Sequence, residues 1–397
     1  MYSRKHTTAY FVLEGINSFG TTLYFYYIYF FTEKQFGFTK FQNLVLAAAL
    51  GLTYGVSSII SGRFAQRRGY FAALKAGYAI MAVVIGAGAF VTALPVHLAI
   101  MFAGIFGMAL TWPALQALVS EGQSRRDLQR NIGIYNLVWG GLGALAYFCG
   151  GAMFKAFGFR MMFVVPAAIH VSQFIVTLFL QRASRDSATG SAKMSGATDK
   201  GTGEHERLPS PDSAKISLRM AWLANPFAYL AINTVIAVMP AVASRLQLSV
   251  AQAGILCSIW LFFRTVSFLW LWLWPGWHYR FRWLVVAYLM MTLSFVVLLL
   301  APNLWLVIAA QIAFGLALGL IYCSSLYYSM DVGETKGEHG GFHEAMIGLG
   351  SCAGPAIGAA ALHQLPNHPS SSTWAVMILL SGGLFGLFWL RWQNGSR

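Results

Sequence analysis

The chain has 397 residues, of which 57% are hydrophobic and only 10% charged, against about 25% charged in an ordinary soluble domain. With a mean hydropathy of +0.60, that balance excludes a soluble globular fold and indicates a polytopic membrane protein. The net charge of +14 sits in short clusters between apolar runs with no recognition motif beside them, which excludes a nucleic-acid partner and reads as a topology signal.

In chain order, MYSRKH precedes an apolar run that contains Glu14 and Asn17 and lacks a small-residue cleavage pattern, so it reads as a retained first span rather than a signal peptide. Hydropathy places helices near 9–31, 41–62, 71–93, 97–119, 132–154 and 161–181, then near 219–243, 250–274, 283–301, 304–329, 342–364 and 373–391. Between the two sets, residues 182–215 are rich in Ser, Gly, Ala, Thr and mixed charge and cannot bury enough surface to offset ordering entropy. The organisation expected is an N-terminal six-helix bundle over 1–181, a disordered cytoplasmic linker over 182–215 and a C-terminal six-helix bundle over 216–397. With the N-terminus in the cytoplasm, 21 of the 27 Lys and Arg fall on the cytoplasmic side, which predicts both termini inside a cell (inner) membrane. Cys149, Cys257, Cys323 and Cys352 lie in apolar segments without CxxC spacing and read as small buried hydrophobes.

"FGMAL" at 106–110 returns as "FGLAL" at 314–318, a displacement of 208 residues, and the same shift carries Gly133 to Gly341, Gly140 to Gly348 and Gly150 to Gly358. A constant offset across two spans and a loop indicates two homologous bundles pointing the same way. The chain resembles the major facilitator superfamily over essentially its full length: six plus six helices, both ends inside and a long central loop. The loop "GRFAQRRG" at 62–69 is similar to the family signature there through Gly62, Arg67, Arg68 and Gly69, while Gln66 stands where the family usually has Asp. The cytoplasmic gate that the resemblance implies therefore lacks its acidic member. "GSCAGPAIGA" at 350–359 resembles the family's Gly-Pro motif but sits on the eleventh span instead of the fifth; small residues that let helix backbones approach account for it.

Polar groups within spans face a bundle interior or a wet cavity, because hydrocarbon leaves them unsatisfied. Glu14, Asn17, Thr21 and Tyr24 recur at helical spacing on the first span, as do Asn225, Tyr229 and Asn233 on the seventh. These stripes predict a central cavity, in agreement with the resemblance, which implies lining by the first, fourth, seventh and tenth helices. The fourth span adds Trp112 and Gln116, the tenth Gln311 and Tyr322, and the fifth a cluster of Tyr135, Asn136 and Trp139. Pro113 and Pro240 are candidate points of helix loosening. Glu14 is the one carboxylate in such a stripe, a candidate proton carrier or cation contact. Arg264, about ten residues inside the eighth span and so roughly 15 Å deep, needs a counter-charge or water: Glu14, an anionic group of a substrate, or helix carbonyls. Glu338 and Glu344, in "GETKGEHGGFHE" at 333–344, are expected to reach Arg67 and Arg68 at the cytoplasmic gate, and no metal site is read from the histidines there.

No Walker, catalytic Ser or HExxH sequence is present, so neither an enzyme nor a cofactor is expected. The reading is a monomeric secondary transporter in the lipid bilayer, moving a small organic solute by alternating access with proton coupling. A non-transporting sensor or scaffold and a lipid flippase are the alternatives on the same fold.

Overall fold

The computed structural model describes residues 4–120, 125–191, 211–332 and 336–395, all but a few of them helical. Helices α3 (Lys40–Arg68), α4 (Tyr70–Ala87), α5 (Leu94–Ser120), α6 (Arg125–Phe157) and α7 (Met161–Ser191) form one group with the first span. Helices α8 (Pro211–Arg245), α9 (Val250–Leu273), α10 (Phe281–Leu300), α11 (Leu304–Val332), α12 (Lys336–Gln364) and α13 (Ser371–Gly395) form the other. These eleven are each long and apolar enough to cross a membrane. The protein is an integral, multi-pass, all-helical membrane protein.

The first span differs from the continuous helix read over 9–31. It is α1 (Arg4–Phe25) followed, after a turn at Tyr26 and Tyr27, by α2 (Ile28–Phe36). The turn is held from the side: the Tyr27 hydroxyl donates to the Tyr147 carbonyl at 2.5 Å, and its ring meets those of Tyr147 and Phe154 edge-on. Thr32 of α2 donates to Asn43 Oδ1 of α3 at 2.8 Å, and Asn43 donates back to the Tyr29 carbonyl at 3.2 Å. Gly37, left-handed at φ 67°, ends α2. At the central connection, α7 runs on to Ser191 and α8 begins at Pro211, so helix enters the segment 182–215 from both sides; residues 192–210 lie outside the described residues.

Helix starts follow local chemistry. Thr39 and Ser249 each cap a helix with a reciprocal box, Gln42 closing one and Gln252 the other. Arg245 Nη1 and Nη2 donate to the carbonyls of Leu299 and Ala301, satisfying the end of α10. Helices α5, α8 and α12 continue through Pro113, Pro226, Pro240 and Pro355.

The two groups meet along two seams, α3 against α12 and α6 against α9. Glycine sets both. Gly51, Gly55 and Gly62 of α3 face Ser351, Gly348 and Gly341 of α12 so closely that Gly51 and Gly348 have no room for a Cβ. On the other seam, Gly133 and Gly140 of α6 receive the Trp272 indole and the Thr265 and Phe268 side chains of α9.

Candidate functional site

Between the seams lies a cavity of about 140 Å³ whose wall draws on α1, α2, α3, α5 and α6 of one group and α8, α11 and α12 of the other. Its lining reaches from Tyr54, Trp139, Tyr322 and Glu344, near mid-depth, to Tyr29 and Ile236, toward the side opposite the chain termini. Eight lining residues are aromatic: Phe25, Tyr26, Tyr29, Tyr54, Trp112, Trp139, Tyr229 and Tyr322. Among the described residues the wall carries one formally charged side chain, Glu344.

The candidate residues divide by placement. Thr21, Trp112, Trp139, Tyr229, Asn233 and Tyr322 line the cavity, and Asn233 donates to Ser351 Oγ of α12 at 2.7 Å. Asn17 lies deeper in its own bundle, donating to Thr111 Oγ1 at 3.2 Å. Tyr24 points away from the cavity and packs edge-on against Phe163 of α7. Asn136 donates weakly to Cys323 Sγ across the bundles at 3.5 Å and lines a smaller hollow with it. Asn225 and Gln311 are buried, and their side-chain amides have no hydrogen-bond partner among the described residues.

Glu14 is fully buried on α1, beside the hydroxyl of Tyr135. Both carboxyl oxygens lack a hydrogen-bond partner among the described residues. Glu14 does not line the cavity.

Glu344 does not sit with Arg67 and Arg68 as the sequence suggested. It is buried, accepting hydrogen bonds from the Tyr54 hydroxyl of α3 at 2.6 Å and from Gln116 Nε2 of α5. Its carboxylate thus joins α12 to two helices of the opposite bundle. Gln66, Arg67, Arg68 and Gly69 are exposed at the end of α3, while Gly62 is buried against Gly341. The Glu338 side chain lies outside the described residues.

Arg264 is 1% exposed and is not paired with Glu14. One guanidinium nitrogen donates to the Tyr229 hydroxyl at 3.1 Å, and the charge lies 4.6 Å from the centre of the Trp139 ring and 4.7 Å from that of Tyr322. Those two rings stack on each other at 5.3 Å. Aromatic faces stabilise a desolvated guanidinium by about 2 kcal/mol or more, and Glu344 is near enough to act on the same charge electrostatically. Arg264 therefore stands behind the cavity wall, which three of its ring partners form.

Tyr54 and Tyr26 escaped the sequence reading. Tyr54 occupies the position on α3 that Arg264 occupies on α9, since both lie fifteen residues after the capping residues Thr39 and Ser249; the shared capping box was the available signal. Tyr26 lay hidden in an aromatic run and stacks on Trp260 of α9.

None of the curated proteins compared matches the chain. Among solved structures, the fold is similar to that of the human organic anion transporter MFSD10 (TETRAN), with a TM-score of 0.71 at 12% identity over 98% of this chain and 100% of that one. A sequence profile of the Major Facilitator Superfamily matches residues 10–270. With the paired bundles and the cavity between them, that match places the chain in the Major Facilitator Superfamily, a family of membrane transporters of small molecules.

Proposed function

We propose that the protein is a secondary transporter that carries a small organic solute by alternating access, coupled to protons. The supporting observation is the cavity itself: one hollow near mid-depth, walled by both bundles. Rocking the bundles about the seams would expose such a hollow to either side in turn. The contacts that must part on one side include the hydrogen bonds of Tyr54 and Gln116 to Glu344 and the stack of Trp139 on Tyr322. Glu14 and Glu344, one carboxyl in each bundle, are the candidate proton carriers. Tyr135 lies beside Glu14 and within electrostatic reach of Glu344.

The excess of Lys and Arg on the side of the termini supports a cytoplasmic placement of both ends. We extend the reading to a monomer in a cell membrane with division into 1–181 and 216–397 joined by a linker. Purified protein screened against a metabolite panel for thermal stabilisation identifies ligands by mass action. Counterflow of those ligands in proteoliposomes then tests the carrier, and uptake driven by an imposed pH gradient tests the coupling. Stabilising ligands that show no counterflow would count against transport. Counterflow without a response to the gradient would remove the proton.

A further inference from the structure

We infer that the cavity takes a small organic cation with an aromatic body, its ammonium group seated on Glu344 and its ring between the aromatic walls. This rests on the carrier reading of the same cavity and adds the chemical class of its cargo.

The size comes first. A cavity of about 150 Å³ with apolar walls holds one benzene ring, and the hollow here is about 140 Å³, the size of one ring, with the Glu344 carboxylate at its wall to receive a short polar arm. Ring faces favour both stacking and a neighbouring positive charge. The sign of the charge follows from which ionic group reaches the hollow. Glu344 does, from the floor. Arg264 does not: it is 1% exposed, and its guanidinium lies against Trp139, Tyr229 and Tyr322. An anion would have to displace Trp139 or Tyr322 to reach Arg264 and would meet the carboxylate of Glu344 on the way.

Glu344 also has capacity to spare. A carboxylate offers about four acceptor positions, of which Tyr54 and Gln116 use two. An ammonium group arriving from the cavity shares the carboxylate with the two side chains that tie it to the opposite bundle. Occupancy of the site and the strength of that tie are thereby linked through one residue.

Three ligands sharing one phenylethyl body test the charge, 2-phenylethylamine and 2-phenylethanol of equal size and the larger 3-phenylpropionate, titrated against the purified full chain and read by thermal stability and by quenching of tryptophan fluorescence, since Trp112 and Trp139 line the wall. The amine is expected to act at concentrations at least tenfold lower than the alcohol, with the propionate weakest. Glu344→Gln, of nearly the same shape, should abolish the amine's advantage and leave the response to the alcohol in place. Glu344→Asp serves the same comparison should the glutamine variant fold poorly, and should retain a reduced preference for the amine.

A propionate that binds best, an amine preference that survives Glu344→Gln, or no response to any of the three overturns the inference. Counterflow of the amine in proteoliposomes is scored separately. Amine binding without counterflow sinks the carrier and keeps the cation site; counterflow of other solutes without amine binding does the reverse.

Discussion

The α3–α12 and α6–α9 seams hold equivalent places in the two halves but are built from different pairs. The 208-residue shift that carries Gly133 and Gly140 of α6 to Gly341 and Gly348 of α12 pairs with a shift of 210 that carries Gly62 and Gly55 of α3 to Trp272 and Thr265 of α9. The contacts obey both shifts: Gly133 meets Trp272 where Gly341 meets Gly62, and Gly140 meets Thr265 where Gly348 meets Gly55. At these positions the first seam is backbone on backbone and the second fills the same gap with side chains, while farther along the second seam Gly151 of α6 meets the backbone of Val250 and Ala251. The ionic groups are distributed the same way. Glu344 faces Tyr54 across the first seam, and at the matching places of the second stand Asn136 and Arg264. The repeat thus keeps its glycines on α6 and α12, replaces those of α3 by larger side chains on α9, and differs in charge on both pairs, Glu344 against Asn136 and Arg264 against Tyr54.

The comparison can be broken at several strengths. Gly348→Leu should do most harm, because backbone atoms of α3 occupy the space and cannot rotate away; overpacking costs about 1–3 kcal/mol or more, and little monodisperse protein should survive size-exclusion chromatography. Undiminished yield and melting temperature would show that α3 and α12 are not in backbone contact. Arg264→Lys keeps the charge but loses the planar group that lies against Trp139 and Tyr322. It should fold, by circular dichroism, and lose on the order of tenfold in transport. Wild-type uptake would take Arg264 out of the mechanism.

Smaller effects sharpen the contrast. Gly140→Ala meets first the side chains of Thr265 and Phe268, which can give where backbone cannot, so it should cost about 1 kcal/mol, the low end of overpacking, and less than Gly348→Leu; equal losses would erase the distinction between the two positions. Gly382→Ala, on α13 with nothing within 4 Å, should leave transport unchanged and raise stability by about 0.5–1 kcal/mol, the helix penalty of glycine relative to alanine. A fall in melting temperature there would mean that α13 has a neighbour the structure does not place.

The spans and the repeat were legible because each rests on a signal that one sequence carries alone, apolar length in the first case and a constant offset in the second. The α2 break was not, since "LYFYYIYFF" has no Gly or Pro and the turn is imposed by Tyr147 and Phe154 on another helix. Gly37, which does end α2, was visible. Arg264 was legible as buried, but depth along a helix says nothing of lateral position, and the partners turned out to be rings on α6, α8 and α11 rather than Glu14. Glu344 closes the hydrophilic run 333–344 and therefore reads from sequence as a gate residue. The 208-residue offset carries Asn136, in the polar cluster of the fifth span, onto Glu344, the signal that it belongs with the cavity and not with the gate.

Arg264 also bears on how the chain is made. A span emerging from the ribosome with arginine at its centre is penalised by about 2.5–3.5 kcal/mol on insertion scales. Trp139 and Tyr229, which shelter that charge, precede it in the chain, and Tyr322 follows. Biosynthesis thus delivers two of the four sheltering rings before the residue that requires them and a third, Phe268, on the same helix, so the eighth span can enter the bilayer against a waiting partner and need not wait for the tenth.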